Sequence, residues 1–196
     1  MSRTKNAASL DTRQRILDAA LDQFHLRGYN GTSVQDLMSA AGSPKGTFYN
    51  HFASKEALAL EALRVYVGQI GLASLEGPTV GSPRERIENH LAHIVALGLA
   101  VFAERGCLMG NFAGEVPAHS PPVAAAVGAY LDGWVANLST VIEEAKEAGE
   151  LTTPIASTDL AELVVDAFEG GAAKAKATSS AEPLRRFERV VAQLLH

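Results

Sequence analysis

The chain has 196 residues, 47% of them hydrophobic, a formal net charge of −5 and a single cysteine. That is enough for one compact unit or a small head on a larger body, and one cysteine excludes an intrachain disulfide, which points to a reducing compartment. No stretch is long and apolar enough to span a bilayer and the N-terminus carries no signal-peptide core, so a soluble cytoplasmic chain with no membrane partner is expected.

Residues 1–10 are small and polar and are expected to form a flexible arm. A helix should begin at Asp11 or Thr12, with Ile16, Leu17, Ala20, Leu21 and Phe24 as its apolar stripe, and close at Arg27-Gly28. Thr32 can cap a second helix with Gln35 reaching back in a capping box, while Val34, Leu37, Met38 and Ala41 line one face until Gly42 stops it. Ser43 can cap a third, with Pro44 in its first turn and Phe48 and Phe52 sharing an inward face at i, i+4. Lys45, Thr47, Tyr49 and His51 then point outward. Such a short helix cannot fill a core, but it fits the major groove, which makes residues 32–58 a helix-turn-helix and DNA the first partner to consider. Ser54 caps a fourth helix, expected over 55–75. Lys55 in its first turn opposes the helix dipole and is easier to explain with a phosphate nearby.

The body reads as helices throughout. A loop over 76–82 leads into a helix from Pro83 to Phe102 or Ala103, and Gly106–Val116 is short and glycine-interrupted before a break at 117–122. From Pro122 a long helix carries Val127, Tyr130, Leu131, Trp134, Leu138, Val141, Ile142 and Ala145 at helical spacing and ends at Gly149. Two more are expected, from Ser157 or Thr158 to Lys176 and from Pro183 to His196. The fold class is therefore all-α, with about nine helices. The three-helix head occupies 11–56, and an effector-binding and dimerisation domain 57–196.

The segment TRQRILDAALDQFHLRGYNGTSVQDLMSAAGSPKGTFYNHFASKEALALEAL resembles the N-terminal DNA-binding domain of TetR-family one-component transcriptional regulators, usually repressors. The likeness runs from about Thr12 to Leu63 and joins the GY.GTSV entry, the A.AG.PKGTFY.HF recognition segment and the S.KEAL start of the fourth helix. It implies a homodimer whose second domain binds a small molecule and resets the spacing of two DNA-reading heads. It also implies DNA contacts from Thr32, Ser33, Ser43, Pro44, Lys45, Gly46, Thr47, Tyr49, His51 and Lys55. Of these Lys45 and Thr47 are the best placed for base edges, and Gly46 lets the backbone come close. The charge agrees: residues 1–60 carry seven Lys or Arg against five Asp or Glu, and the remainder ten against seventeen. Arg3, Lys5, Arg13, Arg15, Lys45 and Lys55 gather at one end, an excess that suits few phosphate contacts per head and a palindromic operator read by two. For the dimer, the resemblance implies the last two helices, with Leu163, Ala167, Gly170, Gly171, Leu184, Phe187, Val191 and Leu194 as the contact set.

The segment RGCLMGNFAGEV resembles a TetR subgroup with a G-C-L-x-x-N-x-x-x-E pattern that includes regulators of electrophile and aldehyde detoxification. Cys107 is thus one candidate sensor, provided a cation or helix N-terminus favours its thiolate; the bland reading is a small buried hydrophobe. The competing reading is a non-covalent pocket lined by His90, His93, Leu97, Phe102, Asn111, Phe112, Tyr130 and Trp134. His90 and His93 at i, i+3 supply two ligands and no assured third, so no metal and no cofactor are assigned. No P-loop, G-x-S-x-G, H-E-x-x-H or dinucleotide fingerprint occurs, which argues against an enzyme. A helical protein-binding adaptor is the alternative class, but it leaves the exposed Lys45, Thr47, Tyr49 and His51 face without a reason.

Overall fold

The computed structural model describes residues 2–75 and 81–195, and among these every regular element is a helix or helical turn. The first helix, α1 (Ser2–Arg27), begins well before Asp11, so the stretch expected as an arm continues the helix. Its far end turns at Gly28 into α2 (Val34–Ala40). The cap of α2 is Ser33, not Thr32: the Ser33 hydroxyl accepts from the Asp36 N–H at 3.1 Å and the Asp36 carboxylate accepts from the Ser33 N–H at 2.9 Å. This is the capping box, displaced by one residue from Thr32 and Gln35. Gly42, at φ +60°, turns the chain after α2, a conformation that costs a residue without Cβ least.

The recognition element is a tight 3-10 turn, Lys45–Asn50, where an α-helix was expected. Pro44 stands at its N-cap, and the Ser43 hydroxyl, instead of capping, reaches the Ala41 carbonyl at 3.4 Å. Ser54 does cap α3 (Lys55–Ile70), accepting from the Ala57 N–H at 3.0 Å. That helix stops at Gly71, in the left-handed region, and not at Leu75; the turn Leu72–Leu75 follows. Of the expected 76–82 loop, residues 76–80 lie outside the described residues.

Ser82 and Glu85 form a second capping box over α4 (Pro83–Leu97), which runs on through a π turn, Gly98–Phe102, into α5 (Ala103–Arg105). Gly106, at φ +71°, breaks the chain there; an added Cβ would come within 3.1 Å of Lys176, so both conformation and space favour glycine. Cys107 caps α6 (Leu108–Glu115) with its backbone. The long α7 (Pro121–Glu147), α8 (Ser157–Thr178) and α9 (Glu182–Leu194) complete the body.

One apolar core joins head and body: Ile16, Phe24, Leu37, Phe48, Leu58 and Leu63 continue into Leu108, Phe112, Trp134, Leu138 and Phe168. Within the head α1 packs on α2 and α3, and in the body α7 lies along α8 and α8 along α9. Leu184, Phe187 and Val191, expected at a dimer surface, are instead buried within the protomer, where the Phe187 ring meets Phe168 edge-on at 5.5 Å. Gly171 accommodates the same contact, with Leu184 3.7 Å from where its Cβ would be. Among the described residues no helix is long and apolar enough to cross a membrane.

Candidate nucleic-acid interface and effector cavity

The turn Lys45–Asn50 is held from inside by Phe48, which is fully buried and meets Phe52 at 6.0 Å between ring centroids. Anchoring one side of so short a turn fixes what the other side shows. Lys45, Gly46 and Tyr49 are exposed, Tyr49 at 66% with its ring edge-on to Phe48, while Thr47 and His51 are half-buried. Among the described residues no atom would obstruct a Cβ at Gly46. The Thr47 hydroxyl donates to the Pro44 carbonyl, which leaves its oxygen only an acceptor's role. Pro44 and Ser33 are exposed beside the turn, and Ser43 is half-buried.

Two residues expected at this interface do other work. Thr32 is 1% exposed, and its hydroxyl donates to the carbonyls of Gly28 at 2.8 Å and Gln23 at 3.2 Å, in the last turn of α1 and the bend after it. The Lys55 ammonium donates to the carbonyls of Tyr29 at 2.9 Å and Thr32 at 3.1 Å and lies 4.1 Å from the centre of the Tyr29 ring. Burial lowers its pKa, with Glu115 opposing. A lysine in the first turn of α3 is therefore explained without a phosphate: it ties α3 to the connection between α1 and α2. Arg13 is similarly engaged, donating to both Glu61 oxygens at 2.7 and 2.6 Å with its guanidinium over Phe52, and Arg15 reaches Asp11 and the Ala41 carbonyl.

The second site is a cavity of about 570 Å³ bounded by α6, α7 and α8. Cys107 and Asn111 border it; among the described residues the rest of the expected lining does not. His90, Phe112 and Trp134 are core, with the Trp134 indole N–H donating to His90 Nε2 at 2.9 Å. Burial lowers the His90 pKa to about 4, so its ring is neutral and accepts that bond. His93 lies at the surface within 3.1 Å of the Gln69 carbonyl, and Tyr130 packs half-buried at the edge of the core. Leu97 lines a smaller cavity of about 250 Å³ between α1, α3 and α4. The Phe102 side chain lies outside the described residues.

Cys107 is 2% exposed. The Tyr66 hydroxyl donates to its sulfur at 3.3 Å and accepts from the Leu108 N–H at 3.2 Å. Among the described residues the cations expected near the thiol are engaged elsewhere: Arg105 pairs with Asp22 at 2.6 Å and Lys176 donates to Asn111 at 3.1 Å. Burial, reinforced by the Glu169 carboxyl and opposed by the Tyr66 hydroxyl, pushes the thiol well above its ordinary value. Tyr66 itself is raised by burial and then by Cys107.

Sequence reasoning missed Glu169 and Tyr66. Glu169 stands four residues after buried Val165 and three before buried Ala172, a carboxylate interrupting the apolar stripe of α8, and that interruption was the available signal. Glu115 and Asn111, the polar members of the α6 pattern, tie this segment to the head: Glu115 accepts from the Asn30 N–H at 3.0 Å, and the Asn111 amide donates to Arg105 O at 2.7 Å and His25 O at 3.4 Å. His25 meets the Gly106 carbonyl at 2.5 Å.

A family model described as bacterial regulatory proteins, tetR family, matches residues 16–62, and one described as tetracyclin repressor-like, C-terminal domain, matches residues 83–191. The transcriptional repressor DhaR of Mycobacterium sp. strain GP1 is 32% identical over 191 residues, covering 96% of this chain and 94% of its own. The crystal structure of E. coli NemR in its reduced form superposes with a TM-score of 0.79 at 29% identity, covering 94% and 97% of the two chains. A TetR regulatory protein from Rhodobacter sphaeroides gives 0.81 at 27% identity, covering 93% and 98%.

Proposed function

The chain belongs to the TetR family of bacterial regulatory proteins, as a DNA-binding transcriptional regulator and not an enzyme, and from that premise we propose that it works in the cytoplasm as a homodimeric repressor of a palindromic operator. The observation that carries the reading is the turn Lys45–Asn50, pinned by buried Phe48 and presenting Lys45, Gly46 and Tyr49 to solvent. Lys45 and Thr47 read base edges; Tyr49, His51, Ser33, Ser43 and Pro44 position the turn on phosphate and sugar. Thr32 and Lys55 support this surface from behind. Exposed Leu163, Ala167 and Gly170 on α8, with Leu194 at the end of α9, form the surface for the second copy.

The effector enters the cavity between α6, α7 and α8, and Cys107 contributes packing and a hydrogen bond at its floor as a neutral thiol. A ligand there moves Cys107 and Tyr66, which lies on the same helix as Lys55, so α3 carries the displacement to the head. Release from DNA follows when the two heads lose the spacing of successive major grooves.

Fluorescence anisotropy on DNA from beside the protein's own gene tests the DNA surface. Tyr49→Ala and Lys45→Ala should each weaken operator binding by about tenfold or more, with helicity and dimer mass unchanged, and Lys45→Ala should also relax the sequence preference at the base pair it reads. Wild-type affinity in both variants would transfer the function to a protein-binding adaptor.

A further inference from the structure

Both carboxylate oxygens of Glu169 are sealed from solvent, and among the described residues neither has an N–H or O–H donor, the Cys107 thiol beside them being only a weak one, although the residue borders the α6–α7–α8 cavity. A buried carboxylate in that condition lacks the donor its ionised form requires. Asp132, Glu162 and Asp166 also border the cavity, and among the described residues no Lys, Arg or His does. Leu131, Val135 and Val165 make the rest of the wall largely apolar, and the volume is that of an ordinary small-molecule site. An anion would meet four acidic side chains there, and a neutral hydrocarbon would leave Glu169 without a donor.

We propose that this cavity binds an organic cation with an apolar body, a protonated alkylamine in its simplest form, whose ammonium group donates to Glu169 while its chain lies on Leu131 and Val165. The proposal rests on the cavity being the effector site and names the chemical class it takes. Asp132, Glu162 and Asp166 draw the cation to the mouth, and the ammonium supplies the donors that Glu169 lacks inside. Burial raises the Glu169 carboxyl to about 7, with the neighbouring Cys107 thiol opposing and Asp166 adding. Cys107 and Tyr66, the other titratable groups at the floor, are raised and stay neutral near that pH. Binding therefore selects ionised Glu169 and expels its proton, so amine affinity rises with pH across about 6 to 8.

Isothermal titration calorimetry with n-octylamine, n-octanol and octanoate separates charge from chain, on the intact dimer and on Glu169→Gln, Asp166→Asn and Val135→Trp. Octylamine should bind tightest, lose about tenfold or more in Glu169→Gln and a few-fold in Asp166→Asn, and be excluded by Val135→Trp. Circular dichroism and sedimentation accompany each variant, and Asp166→Asn carries the charge test if Glu169→Gln does not fold. Octanol or octanoate bound as tightly as octylamine, and all lost in Val135→Trp, would keep the cavity as the effector site and overturn its preference for cations. Ligands indifferent to Val135→Trp would overturn the cavity itself. A Glu169→Gln protein that loosens the dimer with amine binding unchanged would also overturn the proposal, assigning the carboxylate to an arginine of the second copy.

Discussion

Thr32 and Ser33 are adjacent hydroxyls with opposite tasks. Ser33 faces solvent and caps α2, whereas Thr32 closes the end of α1 from inside. A run of Gly-Thr-Ser before an apolar stripe announces a cap but does not say which hydroxyl serves, because the choice depends on where the preceding helix ends. Replacing Thr32 with valine keeps the shape and removes the donor from two carbonyls. Chemical denaturation should show a loss of about 1–2 kcal/mol, while the salt dependence of operator binding by the folded protein stays at its wild-type slope. A slope reduced by one phosphate would return Thr32 to the DNA surface. Lys55 shows the same limit: a cation at a helix start looked misplaced along the chain, and only the fold reveals the Tyr29 and Thr32 carbonyls it holds.

Among the elements, periodicity located α7, α8 and α9 to within a few residues, because long apolar stripes at helical spacing leave little choice. It also placed Phe48 and Phe52 in the core of the head. What it left open was which neighbour each stripe meets. Leu184, Phe187 and Val191 form an apolar face that suits either a partner or the chain's own α8, and the fold uses them on α8. The cavity was less legible still, since its walls come from three helices whose facing sides only the fold brings together, and only Cys107 and Asn111 were named in advance. What remains outward on α8 is Leu163, 49% exposed among Asp159, Glu162 and Asp166, and on α9 Val190, 48% exposed among Arg185, Arg186 and Arg189. Leu163→Glu should therefore weaken the dimer by about tenfold or more in sedimentation equilibrium, with helicity retained. Leu184→Ala should instead lower the stability of the fold by about 2–5 kcal/mol. Equal effects of the two on dimer dissociation would remove the distinction between the outer face and the core.

For the molecule as a whole, two buried titratable groups set opposing dependences on pH. His90 is held neutral, its pKa lowered by burial to about 4, with His93 adding like-charge repulsion. The unfolded chain takes up that proton more readily, so His90 favours the fold above its unfolded value and loses this contribution as pH falls through about 4. Glu169 runs the other way. Its folded pKa, about 7, lies above its unfolded one, so its contribution is complete below about pH 4.5 and is lost as pH rises through about 7. Over the shared window the two slopes oppose each other, and the stability of the wild-type protein should be flatter than either group alone would make it. Glu169→Gln leaves the histidine slope uncompensated. Denaturation curves between about pH 4 and 7 should show the variant gaining on wild type as pH rises, by on the order of 2 kcal/mol across the window. Parallel curves would mean that Glu169 already has a donor in the assembled dimer, and the same result would predict no proton release when an amine binds.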